Sequence, residues 1–167
     1  MLGMSIHDPD QIESTNPVTA GLALLSVTTR FLPVKATHQV KARTLAGHGI
    51  LAKARNTPIS GYEIHMGQTS GPSTTRPFHI DQRSHVTCSD PDGILSDDGN
   101  ILGTYIHGLF HNDDFRRAIL LELAERQDKK LPAVVESFAI DEQYDRLADH
   151  VRRNLDMELI LRLIDRH

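Results

Sequence analysis

The sequence is poor in cysteine, in clustered positive charge and in long apolar runs. Among 167 residues Cys88 is the single cysteine, which excludes an intrachain disulfide framework and suits a reducing compartment. Lys and Arg total 18 against 22 Asp and Glu, giving a net charge of -4 and a pI near 6.2. The basic residues are scattered, so there is no electrostatic footprint for nucleic acid or an anionic membrane. No apolar run approaches the roughly 20 residues that cross a bilayer. The N-terminus reaches Asp8-Pro9-Asp10 without the basic start and apolar segment of a signal peptide, so a cytoplasmic location is expected. No Gly-x-x-x-x-Gly-Lys-[Ser/Thr] segment occurs, which excludes a phosphate-cradling loop of that type. Metal motifs are also missing. His79 and His85 are six apart in a turn-rich stretch without a compact His-x-x-x-His partner, and Asp90, Asp92, Asp97 and Asp98 lack the spacing and closing glutamate of an EF-hand. No metal ion is expected.

What is present is an ordinary globular make-up, 39% hydrophobic and 24% charged, long enough for one core, and a single domain over residues 1–167 is expected. Met1 to Ser14 reads as the tail of an element, with His7-Asp8-Pro9 favouring a turn and a polar loop running on through Asn16-Pro17. Gly21 to Phe31 carries an apolar run ending in Val-Thr-Thr. The alternation of His38 to Leu45 predicts a strand, as do Ile59 to Met66 and Asn100 to Ile106. Gly71-Pro72-Ser73, Asp90-Pro91-Asp92-Gly93 and Asp97-Asp98-Gly99 mark turns around short strands between Gly67 and Asp98. Asn112 or Asp113 caps a predicted helix to about Gln127, with Phe115, Ala118, Ile119 and Leu123 on the face that packs onto a sheet. After Lys129-Lys130-Leu131-Pro132 and a connector, a second helix starts at Asp141, with Tyr144, Leu147, Ala148, Val151, Leu155 and Leu159 at helical spacing. Strands followed by helices point to an α/β domain.

His107 is the leading candidate functional residue. In Gly103-Thr104-Tyr105-Ile106-His107-Gly108-Leu109-Phe110 an apolar strand runs into a glycine and a helix start, a place where a side chain is exposed and fixed in direction. Taken alone, such a histidine is either a proton-transfer group or the mere end of a strand. In Gly61-Tyr62-Glu63-Ile64-His65-Met66-Gly67, the strand period puts Glu63 and His65 on one face. That face either meets a substrate or carries a hydrogen-bonded strand histidine. Cys88, in Val86-Thr87-Cys88-Ser89-Asp90-Pro91, has no glycine-flanked elbow to expose its thiol and reads as an inert small hydrophobe.

Taken together, GYEIHMG at Gly61 to Gly67, Asp92-Gly93, and GTYIHGLFHNDDFRRAIL at Gly103 to Leu120 resemble the class I glutamine amidotransferase-like domain of the cobyric acid synthase family. IHDPDQIES at Ile6 to Ser14, GLALLSVTTRF at Gly21 to Phe31, and QYDRLADHVRRNLDM at Gln143 to Met157 extend the resemblance to nearly the whole chain. It implies a flavodoxin-like α/β fold, a mixed sheet flanked by helices, here without its N-terminal strands. It also implies that glutamine is hydrolysed to supply ammonia for ATP-dependent amidation of adenosylcobyrinic acid a,c-diamide, a corrinoid, in cobalamin biosynthesis. An N-terminal synthetase domain would hold ATP and Mg, none of which is expected on this chain. The resemblance assigns His107 the catalytic histidine role. Many class I amidotransferases carry a glutamate two residues later, where this sequence has Leu109. The family nucleophile lies in Cys-Gly-Gly followed by an aromatic or polar residue and Gln-Met-Leu-Gly. Met1-Leu2-Gly3 matches the end of that motif, so the cysteine would fall just before residue 1. The expectations are therefore no nucleophilic cysteine in this chain, little activity alone, and self-association, such as a homodimer, through an uncovered sheet edge. Two alternatives are the equivalent domain of a cobyrinic acid a,c-diamide synthase and a non-catalytic remnant that binds a corrinoid or a synthetase partner.

Overall fold

The computed structural model describes residues 1–72, 75–131 and 140–164, for 140 and 141 the backbone alone. The chain divides into two compact units, Met1–Val135 and Glu136–His167. Ser73 of the first predicted turn and Pro132 with the connector after it lie outside the described residues.

The first unit is built on β3 (Thr28–Thr44), the longest strand. Its second half alternates, with Val40, Ala42 and Thr44 buried and Lys41 and Arg43 exposed, which is the period-2 signature of a sheet with one covered face. Along one side of β3 runs β4 (Pro58–Ser70), antiparallel, interrupted where Phe31 pairs Gly67 and Ala36 pairs His65. The unpaired stretch contains Pro33, which has no N–H to give to a ladder. Along the other side lie β1 (Ser5–His7), parallel to Thr28–Arg30, and β5 (Phe78–Arg83), antiparallel to Val40–Thr44. Outermost are β2 (Val18–Ala20) on β1, β6 (Val86–Asp92) on β5, and β9 (Ile106–His107) on β4. β7 (Ile94–Leu95) and β8 (Leu102–Gly103) form a separate two-stranded ladder. The result is a mixed sheet in an α/β unit, as expected.

Helix α1 (Asp113–Arg126) covers the buried face. Its Phe115, Ala118 and Ile119 pack with Val40, Ala42, Ile59, Phe78, Ile80 and Ile106 in one core cluster, and the Phe78 and Phe115 rings lie 6.1 Å apart. Leu123, placed on the same face by sequence, is instead exposed, near the helix end beyond the reach of the sheet's core residues. Asp113 and Asp114 sit at the positive end of the helix dipole.

The structure revises several expectations drawn from the sequence and adds a turn that the sequence did not announce. Ser5–His7, read as part of an element's tail, is a strand between β2 and β3; three residues are too few to display a period. The Asn100 to Ile106 strand is two short strands in different sheets, separated by Thr104 and Tyr105. β5 and β6 form a hairpin whose two-residue turn, Ser84-His85, has both φ angles positive (45° and 71°), a primed turn without the usual Asn-Gly.

The described part of the second unit consists of α2 (Ile140–Asn154) and α3 (Met157–Ile164). The sequence pattern predicted one helix through Leu159. The break comes at Asp156, whose carboxylate accepts the Leu159 N–H at 2.9 Å and so caps a new helix. No described helix is long and apolar enough to cross a membrane.

Candidate active site

His107 ends the two-residue strand β9 directly opposite Tyr62, while its neighbour Ile106 is opposite Glu63. Opposed residues of an antiparallel pair share a face. Ile106 and Glu63 therefore point into the core, at 4% and 3% exposure, and His107 and Tyr62 point out to solvent. Gly61 lets the two strands approach, because a Cβ there would stand 2.4 Å from the His107 carbonyl oxygen. Gly108, at φ 81°, then turns the chain off the sheet into a 3-10 turn over Leu109–His111. Among the described residues the His107 imidazole makes no side-chain hydrogen bond or ion pair, and Leu109 is buried in the core cluster.

The entry into β9 is fixed by Asp92 and Thr104. The Thr104 hydroxyl donates to the Asp92 carboxylate and accepts the Ile106 N–H at 3.0 Å, and Asp92 also accepts the backbone N–H groups of Gly93 and Tyr105. Burial raises the Asp92 carboxyl above its usual 3.8, against the lowering effect of these hydrogen bonds. Asp92, Thr69 and Tyr105, with the apolar Leu2, Leu25 and Val27, line a cavity of about 230 Å³.

Glu63 and His65 do share a face, and it is the one opposite His107. The Glu63 carboxylate receives Arg83 Nε at 2.5 Å and Nη2 at 3.1 Å, and Arg83 Nη1 also donates to Asp90. Two carboxylates hold the guanidinium far above its normal range, chiefly through the Glu63 hydrogen bond. Glu63 is thus a buried ion-pair residue, not a solvent-facing one. His65 Nδ1 donates to the Gly67 carbonyl at 2.8 Å, its Nε2 lies 3.8 Å from Glu63, and its ring stacks on Tyr105 at 3.9 Å. The hydroxyls of Tyr105, Thr69 and Thr29 continue inward at 2.6 and 2.8 Å. Arg83 carried no signal in the sequence. A register shift between Ile80 and Gln82 resets the alternation of β5 and turns Arg83 inward.

Cys88 lies on β6, partly buried, its thiol donating to the Ile80 carbonyl at 3.7 Å and approached by Arg83 Nη1 at 3.9 Å. The strand order β6-β5-β3-β4-β9 puts four spacings between Cys88 and His107. At about 4.8 Å each that is roughly 19 Å. The acidic residues of the turn region have separate partners: Asp90 takes Arg83, Asp92 takes Thr104, and Asp98 takes Ser96 and Asn100, which bring its carboxyl down to about 2.

Residues 1–115, which hold β1 to β9 and His107, match the CobB/CobQ-like glutamine amidotransferase domain. The chain belongs to this family. Among curated proteins it is 39% identical over 169 residues to the cobyric acid synthase of Syntrophobacter fumaroxidans, covering 98% of this chain and 33% of that protein. It is 40% identical over 165 residues to the cobyric acid synthase of Bradyrhizobium diazoefficiens, covering 98% and 30%. The cobyric acid synthase of Dehalococcoides mccartyi is 39% identical over 166 residues, covering 99% and 33%. This CobB/CobQ-like domain therefore spans about a third of the length of the curated relatives it matches.

Proposed function

We propose that the chain is the ammonia-supplying domain of a cobyric acid synthase. Glutamine hydrolysed here would feed ATP-dependent amidation of the peripheral carboxylates of adenosylcobyrinic acid a,c-diamide in cobalamin biosynthesis. The observation that carries the reading is His107, an exposed imidazole at a fixed strand end in a CobB/CobQ-like amidotransferase fold.

The chemistry needs a thiol, a proton carrier and an oxyanion site. His107 accepts the thiol proton as the sulfur attacks the carboxamide carbon of glutamine. The resulting imidazolium returns that proton to the departing nitrogen, releasing ammonia and leaving a thioester. Water, deprotonated by the same imidazole, then cleaves the thioester to glutamate and restores the thiol. An imidazole can take up and give back a proton within one cycle and so serves both directions. Cys88 does not suit the thiol role, being on the buried side of the sheet and several strands away from His107. In this reading the nucleophile comes from polypeptide outside these 167 residues, and the domain alone releases no ammonia. ATP and Mg belong to the synthetase part, since no phosphate-cradling sequence occurs here, and no nucleotide step is assigned to these residues.

The test is isotope transfer. Full-length protein with [amide-15N]glutamine, ATP and adenosylcobyrinic acid a,c-diamide should place 15N in new corrinoid amides. Transfer only to cobyrinic acid would assign the domain to a diamide synthase instead. Corrinoid binding without transfer would make it a binding module.

A further inference from the structure

No side chain among the described residues hydrogen-bonds or ion-pairs with the His107 imidazole, so its placement depends on the backbone that carries it. That backbone is weakly tied on its own: β9 contributes two residues and two paired positions at the edge of the sheet. After His107 the chain leaves the sheet at Gly108, makes one 3-10 turn and returns at Asn112. The Asn112 side chain rejoins β4. Its Oδ1 accepts the Ser60 N–H at 2.9 Å, and its Nδ2 donates to the Ser60 carbonyl at 2.9 Å. Nδ2 also lies 3.3 Å from the Gly108 carbonyl oxygen and 3.0 Å from that of Leu109.

Ser60 is two residues from Tyr62 on β4 and presents its N–H and C=O to the same edge. A continuing strand would have paired with it. The carboxamide has the donor and acceptor of a peptide group and takes the place of that strand. Asn112 also stands at the N-cap of α1, where asparagine commonly caps, yet its side chain bonds no α1 amide. Its hydrogen bonds go instead to the loop that follows His107.

We infer that Asn112 is a positioning residue for His107: its carboxamide closes the loop from His107 to α1 onto Ser60 and so fixes the strand end from which the imidazole projects. The inference rests on the glutaminase reading for its catalytic consequence, but not for its structural one.

Two measurements separate these. In the 167-residue chain carrying labelled histidine, Asn112→Ala should keep its far-UV circular dichroism while Ser60 amide exchange quickens about tenfold, the equivalent of one hydrogen bond. The His107 ring signals should lose order in the same variant. Asn112→Asp keeps an acceptor for the Ser60 N–H but sets a carboxylate oxygen against the Ser60, Gly108 and Leu109 carbonyls, so exchange should stay fast. Asn112→Ser, a good helix cap, should quicken Ser60 exchange as alanine does and serves if the alanine variant does not fold. Unchanged Ser60 exchange and His107 ring order in a folded Asn112→Ala chain would overturn the inference. In the full-length protein, Asn112→Ala should lower kcat for ammonia release about 100-fold with KM within about twofold, as for a misplaced reacting group. A raised KM with unchanged kcat would overturn the catalytic consequence. If His107→Ala left ammonia release intact, the glutaminase reading would fall while the exchange result on Asn112 still stood.

Discussion

Tyr62 and His107 oppose each other across β4 and β9, and this pair sorts the residues of Gly61 to Gly67 into two faces with different work. His107 is on the solvent face. Glu63 and His65, one register away, belong to the buried one, where they meet Arg83 and Tyr105.

The closeness of the two strands depends on Gly61. A methyl there would stand 2.4 Å from the His107 carbonyl oxygen and 2.7 Å from Ile106 Cγ2, so β9 must shift outward to admit it. Gly61→Ala should cost about 1–3 kcal/mol, as overpacking does, and should raise the exchange rate of the β9 amides. Urea denaturation and amide exchange check it; stability within about 0.5 kcal/mol of the parent would contradict the close approach.

Glu63 is tied to stability. Glu63→Gln leaves the Arg83 guanidinium, whose side chain is 26% exposed, with Asp90 as its remaining charged partner. The expected loss is roughly 3 kcal/mol, the low end for breaking a buried pair. The double change Glu63→Leu with Arg83→Met should recover most of it, because the one charge left without its partner, Asp90, is half exposed to water. A double variant no more stable than Glu63→Gln would show that the pair itself, not the stranded charge, matters.

Asp92 gives a pH signature. Its carboxyl is raised above 3.8 by burial, so the ionised form is the disfavoured one in the fold. The stability this group contributes is complete below 3.8 and is lost as pH rises through the raised folded value. Asp92→Asn does not ionise, so its melting temperature relative to the parent should climb as pH is raised from 3 to 7. Parallel profiles would remove Asp92 as the titrating group.

Part of this architecture was legible in the sequence. Ile59 to Met66 lies within β4, and the helix expected from Asn112 or Asp113 to about Gln127 is α1, Asp113–Arg126, because alternation and helical spacing over many residues leave little choice. The histidine at a strand end was visible because Gly108 marks where the strand stops. Other parts were not. Arg83 meets Glu63 only through a register shift in β5, and Ser84-His85 turns a hairpin without the residues that usually announce one. The local sequence marks Asn112 as a helix cap, its ordinary use, and nothing local reveals that Ser60 arrives beside it from 52 residues away.

Cys88 should behave as a partly buried, shielded thiol. Its contacts with the Ile80 carbonyl and Arg83 lie on the covered face of the sheet, so alkylation of the native chain should be slow and should speed up when the chain is unfolded in urea. Labelling as fast as in the unfolded chain would place the thiol at the surface and reopen it as a nucleophile.

The most direct test of the account is ammonia release from glutamine by the 167-residue chain and by the full-length protein, each with and without His107→Ala. The expected result is no release from the short chain, release from the full-length protein, and a 10²- to 10⁴-fold fall there with His107→Ala, the usual contribution of a general acid–base group. Ammonia released by the short chain and abolished by Cys88→Ser, or full-length activity indifferent to His107→Ala, would contradict it.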